Sequence, residues 1–76
     1  MVRWEYTRAE AVARGSSTDS GTVREKALTG WLARLNSLGE EGWELVSEER
    51  GSATYTLTSP DFMARYGGTF KRPRGQ

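Results

Sequence analysis

The stretch LNSLGEEGWELV, residues 35–46, puts two glycines and two glutamates between an apolar helical stripe and a tryptophan. Upstream of it, Val23, Ala27, Leu28, Trp31, Leu32, Leu35 and Leu38 recur at steps of three and four. That spacing predicts an amphipathic helix over 23–38. Thr22 and Glu25 stand three apart, as in a capping box at its start. Gly39 follows the last apolar position, where a helix ends most easily on a left-handed residue. Glu40 and Glu41 fall in the exposed connection, Gly42 allows a second bend, and Trp43 opens a strand. In that strand Trp43 and Leu45 share one face, and Glu44, Val46 and Glu48 the other. The stretch therefore reads as helix stop, turn and strand start.

Working outward, Val2, Trp4 and Tyr6 alternate with Arg3, Glu5 and Thr7, the period of a half-buried strand that runs on weakly to Val12. Residues 14–22, RGSSTDSGT, read as a polar loop. Residues 50–53 read as a turn. Residues 54–58, TYTLT, read as a strand with Tyr55 and Leu57 inward and the threonines outward. Residues 59–68, SPDFMARYGG, look like a short capped helix, with Ser59 as N-cap, Pro60 at the first position and Gly67 at the end. TFKR is a last short strand, stopped by Pro73.

The expected fold is one small α+β domain spanning 1–76. It has a three- to four-stranded antiparallel sheet with one amphipathic helix on one face, in the order β-α-β-β, short helical insert, final β. Trp4, Trp31 and Trp43 are expected to meet in its core.

Seventy-six residues can build only a thin core, and small domains usually need a staple. With no cysteine and no histidine, neither a disulfide nor a Cys/His metal site can be built. Self-association, as a dimer or higher homo-oligomer, is the expected staple. No apolar run is long enough to span a membrane, and the first residues lack the apolar core of a secretory signal. The chain reads as cytoplasmic.

The motifs WEY, LNSLGEEGWELV and FKRP, in this order and spacing, resemble a family of short bacterial and phage proteins of unknown function. The pattern of that family is Trp-Glu-Tyr, then Leu-Asn-x-Leu-Gly-x-Glu-Gly-Trp-Glu-Leu, then Phe-Lys-Arg-Pro. The resemblance implies a strand-helix-strand-strand fold and carries no catalytic residues with it. If phage-encoded, the protein would work in the host cytoplasm.

Chemistry is sparse. General-base catalysis near neutrality usually needs histidine, and Glu40/Glu41 and Glu48/Glu49 are sequence neighbours on polar segments. No catalytic residue, metal or cofactor is expected, and the chain is read as a non-enzyme.

Net charge is +1, but residues 51–76 hold Arg65, Lys71, Arg72 and Arg74 against Asp61 alone. With Tyr66 these combine cationic forks and an aromatic ring, suited to phosphate and to stacking. Ser16, Ser17, Thr18 and Ser20 offer hydroxyls. Together they form the candidate site for a small phosphorylated ligand. A nucleic-acid partner is disfavoured by the near-neutral charge and the six acids of residues 22–50.

The leading expectation is a non-catalytic oligomeric binding protein. By analogy with small phage sponges, it would sequester a nucleotide or other anionic signal. The alternative is a protein-interaction module that regulates a host or phage enzyme through an exposed sheet face.

Overall fold

The structure, a computed structural model, describes residues 2–55 and 61–74. β1 (Trp4–Ser16) leads through a 3-10 turn (Ser17–Asp19) into α1 (Ser20–Glu40). β2 (Glu44–Tyr55) and β3 (Asp61–Pro73) follow. The sheet order is β1-β3-β2, antiparallel at both junctions, so the last strand lies between the first two. One helix on a three-stranded antiparallel sheet is the α+β, β-α-β-β architecture expected. No helix among the described residues is long and apolar enough to cross a membrane.

Several local expectations are corrected. Residues 14–22 are not a loop: β1 continues to Ser16, whose hydroxyl oxygen accepts from the Thr18 amide, and the helix starts at Ser20. Thr22 thus lies inside the first turn, and no capping box forms around it. The left-handed residue that ends α1 is Gly42 (φ 87°), not Gly39, which is still helical. The Gly42 amide donates to the Gly39 carbonyl at 3.0 Å and the Trp43 amide to the Leu38 carbonyl at 2.9 Å. This is a Schellman termination, which satisfies two of the carbonyls a helix end leaves free. Residues 50–53 are not a turn but the middle of β2.

Residues 61–68 are not helical either; they form the first half of the central strand. The alternation Phe62, Ala64, Tyr66, Gly68, Phe70 faces α1, and it overrides the punctuation by Gly67. The expectations on residues 56–60, including the proposed cap at Ser59 and Pro60, lie outside the described residues.

The face assignment of β1 is the reverse of the expected one. Thr7, Ala9, Ala11, Ala13 and Gly15 lie under the helix, while Trp4, Tyr6 and Val12 stand on the open face. In a strand, one step in register exchanges the two faces completely. Small residues win the helix side because α1 comes close. A Cβ on Gly15 would lie 2.7 Å from Val23 Cγ2. A Cβ on Gly68 would lie 2.5 Å from the Ser47 carbonyl oxygen and 3.3 Å from the Trp31 ring. The helix supplies the bulk, and the sheet supplies the recesses that receive it.

The three tryptophans therefore do not meet. Trp31 is 1% exposed and packs on Phe70, ring centroids 5.8 Å apart. Its Nε1–H has no acceptor among the described residues. Trp4 is 40% exposed on the other side of the sheet. Trp43 is half-buried at the helix end. A second cluster, Val23, Ala27, Phe62 and Ala64, with Ala13 and Tyr66 against it, fills the far end of the interface.

β2 carries a bulge between Leu45 and Ser47. The extra residue, Val46, shifts the alternation, so Glu48 lands on the same side as Leu45, contrary to the expected split. The molecule measures 55 × 20 × 13 Å, with a radius of gyration of 15.6 Å. A compact chain of this length would have about 11 Å. The shape is a long ribbon with a thin core.

Candidate functional site

The predicted ligand residues fall into three places. Ser16, Ser17, Thr18 and Ser20 lie where β1 passes into α1. Lys71, Arg72 and Arg74 lie at the opposite end of the sheet, beside Trp4 and Glu5. The eleven steps of β1 between Ser16 and Glu5 hold the two groups about 35 Å apart, so one chain does not bring them together.

Most of the cations in the C-terminal third are already engaged. Arg72 faces the helix side, where its Nε donates to Glu5 Oε1 and its Nη1 to the Glu41 carbonyl at 3.0 Å. Its guanidinium also stacks on the Trp43 ring at 4.3 Å. It ties β1, β3 and the helix C-terminus into one corner. Lys71, on the open face, lies 4.2 Å from the centre of the Trp4 ring. Arg65 pairs with Glu10 at 3.2 Å. The Arg74 amide donates to the Arg3 carbonyl, and its side chain is exposed.

A different arrangement of cations stands out once the helix is placed. α1 packs mainly on β1 and β3 and barely touches β2. The helix side of β2 is left as one wall of a groove of about 280 Å³, near the lower end of small-molecule sites. Its lining includes Arg24 from α1, Arg50 and Ser52 from β2, and Ala64 and Tyr66 from the floor. Arg65 borders it as well, and none of its described lining residues is acidic.

Arg24 has no carboxylate partner among the described residues and lies 5.2 Å over the Phe62 ring. Arg50 is held only loosely, 3.6 Å from Glu48, with its side chain 74% exposed. Two guanidinium forks, a hydroxyl and a phenol ring converge on an open recess, which suits a phosphate attached to a planar group.

Of the predicted residues, Tyr66 belongs to this groove; Arg65 borders it, but its guanidinium lies on the open face with Glu10. Arg24 and Arg50 were missed, because they are 26 positions apart on elements whose contact the helix tilt decides. Arg24 did stand four residues before Leu28, on the helix flank that turns out to face β2.

A second hollow, larger at about 470 Å³, lies over the opposite edge and is bordered by Arg8, Ala9, Glu10 and Arg34. There Arg8 also donates to Thr69 Oγ1 and Glu49 Oε1 at 2.9 and 3.0 Å, bridging all three strands on the open face. Among the described residues, no group of three or more potential acidic ligands is placed to hold a metal ion.

No protein-family model, curated protein or solved structure matches this chain.

Proposed function

We propose that this chain is a non-catalytic, self-associating binding protein of the cytoplasm, which captures a small phosphorylated ligand, nucleotide in class, in the groove between α1 and β2. The observation that carries this is the convergence of Arg24, Arg50 and Tyr66 on one recess with no carboxylate among its described lining residues. Arginine grips phosphate through two parallel hydrogen bonds, and Tyr66 offers a ring edge or face to a base. By analogy with small phage sponges, drawn from size and expected self-association and not from any motif, the chain would withdraw a signal without converting it.

A thermal-shift screen of cyclic and linear nucleotides tests this. The expected result is a stabilising hit that disappears in Arg24→Ala and in Arg50→Ala, both of which fold normally. No shift with any nucleotide at millimolar concentration overturns it.

A second reading has one observation in its favour. Trp4, Tyr6 and Val12 stand exposed on the open face of the sheet, as expected of a module that docks on an enzyme. A stoichiometric protein partner, released by Tyr6→Glu and not by Arg50→Ala, would favour it.

A further inference from the structure

The two edges of the sheet are finished differently. Over β1 the helix flank is polar: Gly30 faces Ala11, Arg34 reaches the hollow beside Arg8 and Glu10, and Lys26 lies one turn before Gly30. Over β2 the flank is apolar. Leu28 and Leu32 follow Arg24 at four-residue steps and are 40% and 50% exposed. Leu45, on the facing strand, is 41% exposed. β2 is also a twelve-residue strand with no proline, paired on one side only among the described residues. An edge of that length is a template for another strand.

We infer that a second copy of this chain pairs antiparallel with β2 along this edge, about a two-fold axis at Glu49, giving a continuous six-stranded sheet with both helices on one face. Directly opposed residues share a face of the sheet, so an axis normal to it passes through a residue position. With the axis at Glu49, Glu48 of each copy stands opposite Arg50 of the other, on the helix side. Two ion pairs of opposite charge result. Moving the axis one residue, to Arg50, sets arginine against arginine. Glu49 meets its own copy on the open face, where each carboxylate already has its Arg8 at 3.0 Å.

Neither other surface suits a second copy as well. The open face carries the ion pairs Arg8–Glu49 and Glu10–Arg65 across its middle, and stacking two such faces would strip water from four charges a side. Among the described residues, the β1 edge has no exposed apolar helix flank to cover.

The pairing also completes the groove. Strands are about 4.8 Å apart, so the two helices, each seated over β1 and β3, would lie about 19 Å apart, leaving a trough of about 9 Å between their surfaces. Arg24 of both copies would line it, with Leu28 and Leu32 on its walls and the two Glu48–Arg50 pairs along its floor. The ligand trough rests on the proposed nucleotide capture; the strand pairing rests only on the self-association in that reading and not on the ligand.

Because the chain has no cysteine, a single introduced one reports the interface directly. Opposed residues of an antiparallel pair have Cα atoms about 4.5–5.5 Å apart, within disulfide reach. Glu49→Cys is expected to give a covalent dimer on mild oxidation, and Val12→Cys on the open face is not. In sedimentation, Arg50→Glu should weaken the dimer about tenfold, as two attractive pairs become repulsive. The double variant Glu48→Arg with Arg50→Glu should restore it.

A wild-type chain that sediments as a monomer at its highest soluble concentration overturns the inference. So does a dimer that links only through Val12→Cys. A dimer that links at Glu49→Cys but shows no nucleotide shift supports the pairing and removes the ligand reading alone.

Discussion

The two sides of β3 carry the same kinds of residue and use them in opposite ways. On the helix side, Trp31 is sunk over Gly68 against Phe70, and Arg72 is locked between Glu5, Trp43 and the end of α1. On the open side, Trp4 lies under Lys71 and remains 40% exposed, and the other cations form exposed ion pairs. The difference teaches where the stability of this thin ribbon resides. It comes from bulk on the helix entering recesses in the sheet, and the open face adds little to the fold of one chain.

Breaking that contrast gives the largest expected effect. Trp31→Ala should cost about 3–5 kcal/mol, a large part of the stability of any small domain. Trp4→Ala should cost about 1 kcal/mol or less. Thermal unfolding followed by circular dichroism checks both, since each kcal/mol moves the midpoint by about 4–8 °C at this size. Equal losses would mean that the two indoles are equally buried.

Gly68→Ala sharpens the point from the other partner. The added Cβ would meet a backbone oxygen at 2.5 Å and the Trp31 ring at 3.3 Å. A loss of about 1–3 kcal/mol is expected, as for other overpacked sites. Gly51→Ala, with nothing within 4 Å, should change stability little.

The corner residues give a smaller effect of the same sign. Arg72→Ala removes two charge-assisted hydrogen bonds and a stacking contact, and should cost about 1–2 kcal/mol. Lys71→Ala, its neighbour on the exposed side, should cost about 0.5–1 kcal/mol. Chemical unfolding of the pair separates them. Similar losses would show that Arg72 is not tied to the end of α1.

The helix and the strand that follows it could be read from local chemistry. The periodic apolar residues from Val23 to Leu38 and the glycine before Trp43 act within a few positions of themselves. What failed was non-local. Ala9, Ala11, Ala13 and Gly15 carry no strand signal of their own; they are suited to their place only because Val23 and Trp31 come down on the sheet. Trp4 and Tyr6 look like core by size alone. Phe62 to Phe70 did alternate large and small, but Pro60 and Gly67 spoke for a helix, and the pull of a central strand exists only once both neighbours are present. Half the groove was hidden for the same reason. Tyr66 was visible as an aromatic beside cations, whereas Arg24 and Arg50 become partners only after α1 takes its seat over β1 and β3.

That seat leaves the β2 side as the unfinished side of the molecule, and the proposed binding sits there. The most direct test is an amide-resolved NMR titration of the wild-type chain with inorganic pyrophosphate, a probe that needs only the arginines. The expected result is a set of saturable shifts gathered at Arg24, Arg50, Gly51, Ser52 and Tyr66. Shifts centred instead on Lys71, Arg72 and Arg74, or none at millimolar pyrophosphate, would contradict the placement of the site.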